Sequence, residues 1–309
     1  MAERRTLLLA TAAALGGCAQ TPGTAPPPSA LPRVSTGRLV RIERFESRHI
    51  DARPVDVWLP PGYDGTRPHA VLVVHDGQMQ FDPASTWNGK AWALDRVLAG
   101  LIAAGQARDT LVVAPWNNGR WRHAEFYPQG FLPHLQPPAL RERFVEQALL
   151  GTPRSDAYLR FLDDELAPAI ARRFATRTGR EHWCVMGSSM GGLISVYALC
   201  ELPQRFGAAA ALSTHWIGAM ERNAAHPDAA CAYLERRLPD PGTVRLYLDR
   251  GTAGLDALYD EAQARVDALL AARGHRAPRV ESHVFAGADH DETAWQQRLH
   301  LPLRFLLGA

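Results

Sequence analysis

The residues of this chain with the clearest chemical content lie in Gly187-Ser188-Ser189-Met190-Gly191-Gly192. An apolar run that reads as a strand, Trp183 to Met186, precedes them, and a helical pattern, Leu193 to Leu202, follows. A strand that turns at once into a helix forces its middle residue into strained backbone angles, and small residues must flank it. Gly187 and Gly191 meet that demand, because a Cβ at either is expected to collide with the crossing backbone. Only Ser189 sits centrally between the two glycines, so Ser189, and not Ser188, is the candidate nucleophile. The helix N-terminus behind it would offer amide donors to the negative oxygen that forms in acyl transfer.

A serine hydroxyl is a poor nucleophile until a base takes its proton. The segment Phe285-Ala286-Gly287-Ala288-Asp289-His290-Asp291-Glu292 follows the last strand pattern and precedes the last helical one, which makes His290 the candidate base. His283, within a strand, and His300, within a helix, are less well placed. A third group should orient the imidazole and stabilise its cation. Two residues compete for that place in Asp249-Arg250-Gly251-Thr252-Ala253-Gly254-Leu255-Asp256. Asp256, beyond the Gly-rich turn, is favoured; Asp249 lies at the strand end, where Arg250 offers it a structural partner. His290, Asp291 and Glu292 are adjacent and would not converge on one ion, so no metal is expected. No Gly-rich phosphate loop is present, and no cofactor is expected.

Such groups need elements to hold them, and the alternation of patterns supplies a set. Leu39 to Phe45 and Val55 to Leu59 alternate apolar and polar residues, as half-buried strands do. Ala70 to Val74 and Leu111 to Ala114 are continuous apolar runs, as in strands covered on both faces. Trp183 to Met186, Ala208 to Leu212, Val244 to Leu248 and Val280 to Phe285 complete the strands. Helical patterns run over Ala91 to Ala104, Asp156 to Phe174, Leu193 to Leu202, Leu255 to Ala272 and Glu292 to Leu306. The order implies an α/β fold with a mostly parallel central sheet and helices on both faces. Asn117 to Pro138 is irregular and aromatic-rich, and long loops on rigid sheets often line sites. Trp116, Trp121, His123, Phe126 and Tyr127 there could stack on a sugar or phenolic ring, or form a hydrophobic lid packed on the sheet.

The chain has 309 residues, enough for one large domain, with 46% hydrophobic and 21% charged residues. That composition excludes a wholly disordered chain and a polytopic membrane protein. A net charge of +2, with no basic-aromatic interleave, gives no reason to expect nucleic acid. Arg4 and Arg5 followed by the apolar run Thr6 to Leu15 read as a signal peptide over 1–17, too short to span a bilayer. The run ends in Leu15-Gly16-Gly17-Cys18, which resembles a bacterial lipobox with Cys18 as the lipidated residue. Arg4-Arg5-Thr6-Leu7-Leu8 also resembles a twin-arginine signal, so the export route stays open. Ala19 is not the aspartate of an inner-membrane retention signal, so the expected station is the periplasmic side of an outer membrane, held by the lipid. Residues 18–37 read as a Pro-rich tether and 38–309 as one catalytic domain. Cys184 and Cys200 lie in apolar segments and read as buried thiols; a disulfide among Cys184, Cys200 and Cys231 is not readable from spacing.

Val73-Val74-His75-Asp76-Gly77-Gln78-Met79-Gln80-Phe81-Asp82 resembles the oxyanion-loop segment of the putative esterase family, a branch of the α/β hydrolases. That family includes enterochelin-esterase-like proteins, feruloyl and acetyl-xylan esterases, the esterase D group and the mycolyltransferases. Gly187 to Gly192, Gly251-Thr252, Gly287 to Trp295, Trp116 to Arg120 and Glu125 to Pro128 are similar to it as well. Many members carry an acidic residue three positions after the glycine of the Gly-Thr turn; here that position is Gly254, which leaves Asp256 to serve. The resemblance implies an α/β-hydrolase fold and a serine carboxylic ester hydrolase with an oxyanion hole made by the backbone N–H groups of Gln78 and Met190. Trp116, Arg120 and Tyr127 are then the expected substrate-binding residues, and the substrate a small-molecule, carbohydrate or siderophore ester. The competing functions are acyl transfer to another alcohol, and a non-catalytic binding or scaffold lipoprotein of the same fold.

Overall fold

The structure, a computed structural model, describes residues 31–308. The expected signal peptide over 1–17 and the lipidation site Cys18 lie outside the described residues. Eight strands form one sheet: β1 (Arg38–Phe45), β2 (Arg53–Leu59), β3 (Ala70–Val74), β4 (Thr110–Pro115), β5 (Trp183–Ser188), β6 (Ala208–Leu212), β7 (Arg245–Arg250) and β8 (Val280–Val284). Their order is β1-β2-β4-β3-β5-β6-β7-β8. β2 is antiparallel to β1 and β4, and every pair from β4 through β8 is parallel. The reversal of β3 and β4 is the crossover on which the site described below depends.

Period-two alternation explains the two cores. Along β3, Val71 and Val73 join one cluster with Val185 of β5, while Leu72 and Val74 join the other with Cys184 and Met186. A strand apolar at every position is therefore a strand with a helix layer on each face. The central helix α6 (Met190–Glu201) is buried along its whole length except Glu201. It packs over β5 and β6, where Ala209 and Ala211, on its face of the sheet, leave room for its approach.

Several elements differ from the patterns. The helix expected over Asp156 to Phe174 is α4 (Ser155–Arg160), a π-helical stretch Phe161–Leu166, and α5 (Ala167–Arg173). Pro168 lacks the N–H that would continue the ladder, and the wide turn just before it absorbs the break. For the same reason Pro302 divides the last helix into α9 (Glu292–Arg298) and α10 (His300–Leu307). The helix expected from Ala91 is α1 (Leu94–Ala103), and that expected from Leu255 is α8 (Asp260–Ala272) behind a 3-10 turn at Gly254–Leu258. The irregular segment after Asn117 contains a short helix, α2 (Arg122–Phe126). Two further helices, α3 (Pro138–Ala148) and α7 (Ala225–Arg237), were not legible as periodic patterns.

Of the expected tether, 18–37, the described residues begin at 31. Past the exposed Leu31 the chain is anchored: Pro32 is buried, and Ser35 gives its N–H and hydroxyl to Asp95 of α1 at 2.6 and 2.7 Å. Trp58 Nε1 donates to the carbonyl of Thr36 at 2.8 Å. Cys184, Cys200 and Cys231 are free thiols, the first two buried.

Candidate active site

Ser189 follows β5 directly and precedes Met190, the first residue of α6. Its backbone sits at φ 57°, ψ −122°, a region that costs a non-glycine residue of order 1–3 kcal/mol. The cause is visible next door: a Cβ on Gly187 would lie 2.7 Å from the carbonyl carbon and oxygen of Gly191. The turn can close only if Gly187 has no side chain. Gly191 departs from the expectation, since a Cβ there would meet nothing closer than 3.5 Å. The second tight place is Gly192, whose Cβ would approach Thr214 Oγ1 to 2.9 Å.

His290 lies on the loop between β8 and α9. Its Nδ1 is 2.6 Å from Asp256 Oδ1, and its ring meets Tyr259 and Trp295 edge-on, with centroids at 5.6 and 5.1 Å. Two aromatic edges and one carboxylate thus fix the orientation of the imidazole. Asp256 is fully buried in the 3-10 turn beyond Gly251. Its other oxygen, Oδ2, accepts from Gly251 N–H and the Ser213 hydroxyl, each at 2.5 Å. Burial raises its carboxyl pKa, but the hydrogen bonds from His290, Ser213 and Gly251 outweigh that and hold it below the usual range. Asp249, the competing candidate, is buried one element away. Its partner is Arg298 of α9, bound through both oxygens at 3.0 and 3.1 Å, and not the neighbouring Arg250.

The segment after β3 forms the opposite wall. Asp76 adopts a left-handed conformation (φ 56°) and receives Arg122 at both oxygens, Nε at 2.8 Å and Nη2 at 2.7 Å. Asn117 Nδ2 adds a third bond at 2.6 Å. Burial works against the Asp76 carboxylate, yet Arg122 and Asn117 hold its pKa below the usual range. Gly77 is held against β4 so closely that a Cβ would fall 2.1 Å from the Ala114 carbonyl oxygen. Gln80 Nε2 donates to the His75 carbonyl at 2.9 Å, and Gln78 Oε1 accepts from Asn117 N–H at 3.1 Å. The backbone of Gln78 is thereby clamped in a 3-10 turn, Gly77–Met79. Met190 opens α6, where first-turn N–H groups have no intrahelical acceptor.

Ser189, His290 and Gln78 border a single cleft of about 750 Å³ at the C-terminal edge of the parallel strands. Its wall also carries Trp87, Asn88, Lys90, Arg122 and Trp295. Trp87 is 85% exposed. Lys90 Nζ bonds Asp291 Oδ2 at 2.6 Å and Asn88 Nδ2 bonds Glu292 Oε2 at 2.8 Å, tying this loop to the start of α9. Sequence reasoning missed Asn88 and Lys90 at the site, because their partners are 204 and 201 positions away and no local pattern announces them.

The three expected substrate contacts are elsewhere. Tyr127 is a core residue: it is 1% exposed, its hydroxyl is hydrogen-bonded with His226 Nδ1 at 2.9 Å, and it packs on Phe144. Trp116 is half-buried beneath Arg41, its Nε1 donating to Asp56 Oδ2 at 2.8 Å. Arg120 is exposed and stacks on Trp121 at 4.6 Å, outside the cleft. The aromatic loop is largely a lid packed on the sheet, and the aromatic residue that stands free at the cleft is Trp87.

Comparison with known proteins follows the same lines. The family model described as "Putative esterase" matches residues 49–306. An IroE-like serine hydrolase from Shewanella oneidensis is 19% identical with a TM-score of 0.64, over 87% of this chain and 80% of that one. A ferulic acid esterase from Anaeromyces mucronatus, solved with ferulic acid, is 17% identical with a TM-score of 0.59, over 88% and 91%. The enterobactin esterase of Shigella flexneri is 17% identical with a TM-score of 0.62, over 89% of this chain and 60% of that longer one. At such identities the structures establish the shared α/β-hydrolase fold, and the family match establishes the rest: the chain belongs to the putative esterase family of carboxylic ester hydrolases.

Proposed function

We propose that the chain cleaves its ester through an acyl-enzyme on Ser189, with His290 as base and Asp256 as the carboxylate that orients it. The observation that carries this reading is the 2.6 Å contact of His290 Nδ1 with Asp256, in the cleft that Ser189 also lines. As Ser189 Oγ attacks the carbonyl carbon, His290 Nε2 takes its proton and Asp256 stabilises the imidazolium. The carbonyl oxygen, now negative, accepts from the N–H groups of Gln78 and Met190. His290 returns the proton to the leaving alkoxide, and a water then repeats the sequence on the acyl-enzyme.

The exposed indole of Trp87 and the polar wall around it support an ester with a flat or hydroxylated face, such as a sugar, phenolic or siderophore ester. Export and a lipid on Cys18 belong to the same proposal and rest on the Leu15-Gly16-Gly17-Cys18 run. A single mature mass that begins elsewhere and carries no lipid would remove that part of it.

A fluorophosphonate probe tests the chemistry, because it labels only an activated serine. We expect one adduct, at Ser189, and its loss in Ser189→Ala together with a fall in turnover of several orders of magnitude in folded protein. Near-native esterase activity in that variant would sink the mechanism.

A further inference from the structure

Asp249 was one of two candidates for the orienting acid, and the catalytic proposal leaves it without a role. Its surroundings supply one. Ser213 directly follows β6 at φ 44° and is fully buried, with its N–H 3.2 Å from Asp249 Oδ1. A hydroxyl has one proton to give and two lone pairs to fill. Both lone pairs of Ser213 are taken by obligate donors, Trp295 Nε1 at 2.9 Å and Arg298 Nη2 at 3.0 Å. The proton therefore has one destination, Asp256 Oδ2 at 2.5 Å. Arg298 is 3% exposed, and Asp249 holds its guanidinium in place from the far side. The chain of contacts runs without a gap from Asp249 through Arg298, Ser213 and Asp256 to His290.

We propose that Ser213, Arg298 and Asp249 are positioning residues that set the basicity of Asp256 and so the proton affinity of His290. A guanidinium donating to the Ser213 oxygen polarises its O–H and makes it a stronger donor to the carboxylate. A carboxylate so engaged stays ionised but holds the imidazolium less tightly, which keeps His290 able to take and return a proton. Asp249 neutralises Arg298, so the device places no net charge of its own beside the acid. The other charged and titratable groups around the pair are His215 and Tyr259 packed next to it, Arg122 across the cleft, Asp289, which accepts from the His290 N–H at 2.7 Å, and Asp291 and Glu292 with Lys90 on the same wall. None of them bonds Asp256.

The inference rests on the Ser189, His290 and Asp256 reading, and its test separates the two. Ser213→Ala keeps the backbone class and the approximate volume while it removes the donor. We expect kcat/KM to fall about tenfold, with the acid limb of its pH profile moved up by about one unit, because Asp256 then grips the imidazolium harder. KM should stay near the parent value. Ser213→Cys keeps a weaker donor and should give a smaller shift of the same sign, which serves if the alanine variant fails to fold. Folded Ser213 variants whose acid limb stays at the parent pH would overturn the positioning role, even with reduced activity. Ser189→Ala, run alongside, reports on the catalytic reading: an inactive, unlabelled Ser189→Ala beside an unmoved Ser213 limb rejects this inference alone.

Discussion

Ser189 holds its hydroxyl at the mouth of the sheet only because its backbone is kept at φ 57°, ψ −122°. A glycine would occupy that region without strain. We therefore expect Ser189→Gly to abolish turnover and still raise stability by about 1 kcal/mol, the strain relieved less the entropy a glycine adds to the unfolded chain. Denaturant unfolding of the parent and variant measures it; equal or lower stability in the glycine variant would show that the strain is not stored at this residue. The two aspartates separate at the same scale. Asp256→Asn should cost the folded enzyme far more activity than Asp249→Asn, because an amide would stabilise the imidazolium poorly and could hold the wrong tautomer. Asp249→Asn should cost chiefly stability, by up to about 3 kcal/mol, since it leaves Arg298 buried without its counter-ion, and activity only as far as its hold on Arg298 tunes Asp256. Kinetics normalised to the folded fraction distinguish the two, and equal losses per folded molecule would contradict the assignment of Asp256.

The elements decide how much of this could be read in advance. Ser189 and His290 were legible because one is centred in a Gly-rich turn between a strand and a helix and the other lies between the last strand and the last helical pattern, and the chain direction fixes which end of the sheet faces the cleft. The choice between Asp249 and Asp256 was less so: it turns on where a five-residue 3-10 turn carries its side chain, and on an arginine 49 positions away. Helices α3 and α7 escaped notice for a local reason. α3 has no fully buried residue, and α7 carries Pro227 in its first turn, a position where proline is tolerated but which reads as a break. Tyr127 and Trp116 misled because an aromatic loop residue carries the same sequence signature whether it faces a ligand or fills a gap under a lid. The elbow makes a sharp prediction at this scale. Gly187→Ala should unfold or severely destabilise the protein, by about 3 kcal/mol or more, since its Cβ would meet backbone that cannot move. Gly191→Ala, whose new Cβ would find ordinary contacts at 3.5 Å, should fold and retain the fluorophosphonate label. Thermal melts of the two variants check the contrast, and comparable destabilisation would locate the crossing elsewhere.

At the scale of the whole molecule, three buried histidines share one arrangement. His75, His215 and His226 each set Nδ1 against a tyrosine hydroxyl, those of Tyr158, Tyr259 and Tyr127, at 2.9, 2.6 and 2.9 Å. Burial pushes the tyrosine pKa values upward, so the phenols stay protonated, and each shares a hydrogen bond with a neutral imidazole. Burial is also the main cause that lowers the histidines, His75 and His215 to about 3 and His226 to about 4. An unfolded histidine titrates near ~6.5, so below that pH the unfolded chain binds protons that the folded one refuses. Each group's contribution is thus complete above about pH 6.5 and is lost progressively as the pH falls toward 3 or 4, at about 1.4 kcal/mol per unit per histidine. His75 adjoins Asp76 on one wall of the cleft and His215 touches Tyr259 against His290, so the loss begins around the site itself. Asp76 and Asp256, both held below the usual carboxylate range, add to it under more acid conditions. We expect the melting temperature to drop steadily between about pH 7 and pH 5, by several kcal/mol in stability terms. His226→Gln, remote from the cleft, should lower the melting temperature at neutral pH yet shrink its fall on acidification, by less than a third because burial lowers His123, His182 and His275 as well and they share the dependence. Melting temperatures that match at about pH 7 and pH 5 in the parent protein would mean that these imidazoles are protonated in the fold, against their burial.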